Sequence, residues 1–155
     1  MPTTAEQIDL MLEEQNLNVF KKCEDDDCWM IPFDSYHVLI TLKEEGEYLW
    51  FRGSILADLD ELPVKERLRA LEHFMELNDR IKLGRFCGYP QIAFEVSLPI
   101  EDGELTAAQF ERCLSTTTRA TSEERYVPKA AGGLEPFFLT GSSRIRSTGT
   151  SPECN

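Results

Sequence analysis

Basic charge is scarce in this chain: 16 Lys and Arg stand against 28 Asp and Glu, for a formal net charge of −12. A surface this acidic repels phosphate backbones and anionic lipid headgroups, which argues against nucleic acid and membrane surfaces as partners. Long apolar runs are missing too. No window approaches the ~20 residues that a membrane-spanning helix needs. There is no glycine-rich phosphate loop and no serine nucleophile elbow, so the nucleotide-binding and hydrolase chemistries built on them are not expected. Histidine is limited to His37 and His73. The opening segment MPTTAEQIDLML has no basic start and no apolar core, so a secretory signal is not expected there. The cysteines are five, Cys23, Cys28, Cys87, Cys113 and Cys154. An odd number without a secretory signal points to free thiols in a reducing cytoplasm.

The sequence has 155 residues, 41% of them apolar and 10% aromatic, enough for one domain with a real core. Charge divides it. Residues 1–115 carry −13, whereas residues 116–155 carry +1 and are rich in Ser, Thr, Gly and Pro. The expected organisation is a folded unit over 1–118 and a tail over 119–155. Such a tail has too little apolar surface to offset its ordering entropy, so it reads as disordered. Its cluster Pro136-Phe137-Phe138-Leu139 is the part able to dock, and an altered C-terminus is the other reading of this texture.

A helix is expected over Ala5 to Gln15, with Thr4 and Gln7 as a capping box. Ala5, Ile8, Met11 and Leu12 share one face. Leu10 lies off it, as a lone exposed leucine or a partner contact. Strands are expected over Asn18–Lys22, Cys28–Phe33, Tyr36–Leu42 and Tyr48–Ile55. The last carries Tyr48 and Trp50 on one side and Leu49 and Phe51 on the other. A strand apolar on both faces is central, or has its second face covered by a helix or a partner.

Pro63 opens the next helix, which is expected to reach about Ile81. Val64, Leu68, Leu71, Phe74, Met75 and Ile81 fall on one side, and Ala70 and Leu77 widen the arc to roughly half the circumference. An arc that wide fits a helix that packs on the sheet and touches something else. Asn78 sits inside the arc, and a buried amide left unpaired costs roughly 1–3 kcal/mol, so it is read as a structural latch to the backbone around Gly84-Arg85-Phe86. Gln91–Leu98 alternates, with Ile92, Phe94, Val96 and Leu98 inward. Thr106 and Gln109 form a second capping box, and the last helix places Ala107, Phe110, Cys113 and Leu114 on one face before Thr116-Thr117-Thr118 weakens it. The expected class is α+β, an antiparallel sheet with packed helices in the order α-β-β-β-α-β-β-α.

At Leu77-Asn78, at Gly84-Arg85-Phe86 and along FEVSLPIEDGELT (Phe94 to Thr106), the chain resembles a YbjN-type domain. That family is described as a regulator of bacterial sensory transduction, and the resemblance covers residues 4 to about 115. It implies the fold of type III secretion chaperones, an α+β sandwich that is often dimeric, and it brings no catalytic residues to carry over. The family's final helix keeps its apolar period, whereas here it runs into Thr and Ser.

Two functions are weighed. Cys23, Cys28, His37 and Cys87 supply four metal or thiol ligands on paper, but their spacing is not that of a zinc site and neither histidine is near a cysteine in sequence. The run Glu24-Asp25-Asp26-Asp27 lacks the ligand spacing of a calcium loop and reads as a solvated turn. The expected function is therefore a non-enzymatic, acidic, chaperone-like or regulatory protein-binding module in sensory or stress regulation. It is expected to be cytoplasmic, a homodimer, and free of metal or cofactor. A metal- or thiol-dependent enzyme is the alternative. The candidate partner-binding residues are Leu10, Tyr48, Trp50, Phe74 and Leu77. The plainer alternative is an ordinary two-sided core.

Overall fold

A computed structural model describes residues 2–17, 19, 21–22, 27–100, 104–124, 126–128 and 134–136. Helix α1 spans Ala5–Glu14 and is held open at its start by a complete capping box, in which Thr4 Oγ1 accepts from the Gln7 amide and Gln7 Oε1 accepts from the Thr4 amide. Strands β1 (Lys21–Lys22), β2 (Cys28–Pro32), β3 (His37–Lys43), β4 (Tyr48–Gly53) and β5 (Ala57–Asp58) follow. Helix α2 covers Val64–Arg80, then β6 (Arg85–Cys87), β7 (Gln91–Pro99) and α3 (Ala107–Glu124). The class is that expected from the sequence, an α+β fold, and the order matches roughly, with five strands before α2 where the expected order has three. Strand β3 begins one residue later than expected, because Tyr36 instead stacks on Phe33 across the turn, with ring centroids 4.8 Å apart.

Strands β1 to β4 form an antiparallel meander, and β7 runs antiparallel to β4, β5 and β6. Register sorts the side chains into two faces. One row aligns Trp29, Ile40, Phe51 and Val96, all buried. The next row, facing the other way, aligns Met30, Leu39, Arg52 and Glu95.

All three helices attach to the first face. Asp9 of α1 accepts from the Trp29 indole at 2.7 Å. Phe110 of α3 meets Phe51 edge-on at 5.5 Å. Phe74 of α2 lies 5.1 Å from Phe86, which in turn packs on Phe94 at 5.0 Å. Ile8, Leu12, Ile31, Val38 and Leu49 complete a single core between the sheet and these helices.

The threonine run does not end α3. The helix starts from the Thr106–Gln109 capping box and continues through Glu124, beyond the expected boundary at 118. β-branched residues disfavour a helix only by tenths of a kcal/mol, about 0.7 at most. Burial outweighs that here: Thr117 and Thr121 are fully buried, and the Thr117 hydroxyl donates to the Cys113 carbonyl at 2.8 Å. Past the helix, β8 (Tyr126–Pro128) pairs antiparallel with β9 (Leu134–Pro136). The rest of the expected tail, including Phe137-Phe138-Leu139 and Cys154, lies outside the described residues, as do Cys23, Glu24-Asp25-Asp26 and Glu101-Asp102-Gly103.

Candidate protein-binding surfaces

The helices gather on one face of the sheet, and on the other Cys28, Thr41, Ala93 and Glu95 are buried while the remainder is partly open. Antiparallel sheets commonly solvate one face, and that face is then polar. Here it carries Met30, Leu39, Tyr48 and Trp50, each half-buried. The cations on this face attend to the aromatic. Lys43 Nζ sits 4.3 Å from the Trp50 ring centroid and the Arg52 guanidinium 5.7 Å from it, within cation–π range. Arg52 also pairs with Glu95 at 3.5 Å, across the β4–β7 ladder. The Phe33–Tyr36 turn and Ile55 rise beside the floor formed by Met30, Leu39 and Arg52. Together they bound a cleft of 780 Å³.

A second apolar surface lies on α2. Its sheet-facing side is Ala70 and Phe74, with Leu77 and Ile81 half-buried against the core. Val64, Leu68 and Met75 were expected on that packed side. They point away from it, 69%, 56% and 68% exposed. At 100° per residue Leu68 lies nearly opposite Ala70 on the helix, so contact of Ala70 with the fold turns Leu68 to solvent.

The candidate partner residues therefore separate. Leu10 is exposed on α1, while Tyr48 and Trp50 are half-buried on the sheet face opposite the helices and Leu77 is half-buried on α2. Phe74 is 3% exposed, which makes it a core residue and removes it from the set a partner can reach. The Asn78 side chain reaches β6: its Nδ2 donates to the Phe86 carbonyl at 3.0 Å and its Oδ1 accepts from the Phe86 amide at 2.8 Å. Sequence reading gave α2 a second contact without the residues that make it, and it passed over a charged pair on the sheet. The Val64–Leu68–Met75 stripe was hidden because both sides of α2 are apolar. The Arg52–Glu95 pair had a signal, a charged residue alternating with Trp50 and Leu49 in mid-strand.

The described metal and thiol candidates, Cys28, His37 and Cys87, are not grouped to hold a metal ion. Cys28 pairs with Thr41 at one end of the β2–β3 hairpin and His37 with Pro32 at the other. Cys28 is buried, with the Thr41 hydroxyl 3.8 Å from its sulfur. Cys87 sits on β6, where burial raises its thiol pKa to about 11, with the Glu95 carboxylate adding to the rise. A thiol held protonated in this way is a poor ligand and a poor nucleophile. Among the described residues no three His, Cys, Asp or Glu are grouped to hold a metal ion, and no helix is long and apolar enough to cross a membrane. His73 instead joins α2 to α3, its Nε2 lying 2.8 Å from the Glu124 carboxylate, which is almost fully buried.

A seven-stranded antiparallel sheet with three helices on one face defines the class: a small α+β protein. Within that class the chain belongs to the YbjN family, described as "Putative bacterial sensory transduction regulator", whose model matches residues 4–124. No curated protein matches the sequence. Among solved structures the chain is similar to YbjN from E. coli, with 14% identity and a TM-score of 0.57, covering 77% of this chain and 87% of that one. It is also similar to the ExsC–ExsE complex, with 18% identity and a TM-score of 0.55, covering 78% of this chain and 92% of that one. At these identities the likeness is one of fold.

Proposed function

We propose that this chain is a non-enzymatic protein-binding module of the regulatory or chaperone-like kind, that it works as a homodimer, and that it resides in the cytoplasm. The observation that carries the reading is apolar surface exposed or half-buried on two separate elements, the α2 stripe and the sheet face opposite the helices. The family description and a neighbour solved as a complex of two proteins support it. The thiols Cys87 and Cys113 are free, in keeping with a reducing compartment. The folded unit is taken to close with α3, the Ser/Thr/Gly/Pro-rich remainder being a tail outside it.

The α2 stripe is assigned to the dimer. Val64, Leu68, Leu71 and Met75 recur at i, i+4, i+7 and i+11, the spacing of a helix–helix seam. Along its flank Lys65 and Arg69 precede Glu72 and Glu76, all exposed. In an antiparallel pair of α2 helices, Val64 meets Met75 of the second copy and Leu68 meets Leu71. The basic block then faces the acidic block in both directions. Within one helix, Lys65–Arg69 and Glu72–Glu76 are like-charge i, i+4 pairs that cost a few tenths of a kcal/mol each, about 0.2–0.5, and a second copy relieves both.

Light scattering on the purified chain is expected to give a dimer, and Leu68→Glu a monomer with an unchanged fold. Affinity capture is expected to recover a specific protein that Ile55→Asp or Leu68→Glu loses. A strict monomer that captures nothing above background overturns the reading.

A further inference from the structure

We propose that the cleft on the sheet face opposite the helices is the seat of this chain's own segment Phe137-Phe138-Leu139, which follows β9. The assignment goes beyond the protein-binding reading above and depends on neither the dimer nor a captured partner. A protein that uses this face must first displace the segment, so the cleft is capped by its own chain.

Position singles out this segment. Gly53 ends β4 and lines the cleft, and a β-carbon there would run into Thr121 of α3. The last turn of α3 therefore lies against the rim of the cleft, on the helix side of a residue that has no side chain. Glu124 ends the helix, about 4.5 Å along its axis from Thr121. Strand β8 starts two residues later, and β9 brings the chain back, with Pro136 opposite Tyr126. Partners across an antiparallel ladder lie about 4.5–5.5 Å apart. The chain thus leaves β9 beside the end of α3, a short reach around the end of β4 from Ser54 and Ile55 in the cleft wall.

Chemistry fits the same segment. Arg52 is paired with Glu95 at 3.5 Å, Lys43 lies over Trp50, and Asp34 stands exposed in the turn between Phe33 and Tyr36. The cleft therefore asks for apolar groups and not for a charge. Met30 and Leu39 in its floor and Phe33, Tyr36 and Ile55 in its walls are apolar, so a side chain directed down or sideways meets apolar partners. Phe137-Phe138-Leu139 is the longest run of large apolar side chains after α3. Three extended residues span about 10 Å, the width of three strands ~4.8 Å apart, which is the floor here. A volume of 780 Å³ takes a few side chains and not a domain. Charge holds the tail to the body without choosing the cleft. After α3 the chain has Arg125, Lys129, Arg144 and Arg146 against Glu135 and Glu153, whereas residues 1–115 carry −13.

The test compares amide chemical shifts of the full chain with those of a full-length variant carrying Phe137→Ser, Phe138→Ser and Leu139→Ser. The variant is expected to shift Leu39, Arg52, Ser54 and Ile55 and to leave α2 in place. The capped peptide Leu-Glu-Pro-Phe-Phe-Leu-Thr-Gly, the sequence of residues 134–141, is then added to each. A tethered segment competes at an effective concentration of order millimolar, so the peptide is expected to bind the variant at least about tenfold tighter than the wild type. Adding Ile55→Asp, a change at a half-exposed side chain, should weaken the peptide about tenfold or more while the remaining spectrum stays in place. Equal affinity for variant and wild type, shifts confined to α2, or no binding to either overturns the assignment. Cleft shifts that vanish on dilution, or in Leu68→Glu, would seat a second copy's segment there and overturn it as well. Oligomeric state and the captured partner decide the broader reading separately.

Discussion

Asn78 and Phe86 close a ring of two hydrogen bonds, 3.0 and 2.8 Å long, between the end of α2 and the middle strand residue of β6. Phe86 is 5% exposed, and its ring links Phe74 to Phe94. The amide thus fixes the strand whose aromatic ring joins helix to sheet. Asn78→Leu keeps the size and strips both bonds, leaving the Phe86 amide and carbonyl without that partner. The expected loss is about 1–3 kcal/mol in urea unfolding, and Asn78→Asp, which can still accept but not donate, should lose less. An unchanged midpoint for Asn78→Leu would refute the latch.

Gly53 and Thr121 show why α3 runs as long as it does. A β-carbon at Gly53 would run into the Thr121 side chain, so β4 and α3 meet where the strand offers no side chain. The Thr121 hydroxyl is buried there without a hydrogen-bond partner. Gly53→Ala is expected to cost about 1–3 kcal/mol by overpacking. Thr121→Ala removes an unsatisfied hydroxyl and should cost less. The double variant should recover most of the Gly53→Ala loss, because the two side chains compete for one space. Simple addition of the two single effects in a double-mutant cycle would show that the contact is not the cause.

This contact also marks the limit of what the sequence disclosed. Both capping boxes and the extent of α2 were legible, since each depends on residues within one or two turns of each other, whereas Ala93 and Glu95, on the outward side of the β7 alternation, are buried. The length of α3 was not, because Thr117 and Thr121 are favourable only against a sheet face distant in sequence. On α2 the period was visible but its direction was not. Apolar residues on both sides leave the choice of buried face to the aromatic contact with Phe86. The paired cation on the open sheet face was missed for the same reason, as Arg52 and Glu95 become neighbours only through the β4–β7 register.

Cys87 sets a pH dependence. Burial, with Glu95 beside it, raises the thiol from 9.0 to about 11. The folded state therefore holds this proton more tightly than the unfolded chain. The stability linked to it is fully present below pH 9 and is lost as pH rises from 9 toward 11. In the wild type the decline across that window should exceed that of Cys87→Ser. At pH 8 the folded protein carries roughly a hundredfold less thiolate at this site than the urea-unfolded chain, so alkylation of Cys87 by iodoacetamide should be slower by at least about tenfold. Equal rates in the two states would contradict the burial argument.

The dimer assignment makes a prediction that a nonspecific apolar contact does not. If Lys65 and Arg69 face Glu76 and Glu72 of a second copy, reversing either block alone places like charges together. Lys65→Glu with Arg69→Glu should be monomeric, and so should Glu72→Lys with Glu76→Lys. Each reversal also puts one sign along the whole flank of its own helix, so a small loss of stability accompanies it, about 0.2–0.5 kcal/mol per like-charge pair. Mixing the two variants separates these effects. Their α2 helices now carry opposite signs throughout, so a heterodimer should form that neither variant forms with itself. Its mass by light scattering, and its weakening in high salt, are the readouts. Two variants that remain dimeric alone would show that the apolar stripe does not pair in this antiparallel register. Two that stay monomeric when mixed would show that the charges do not face each other.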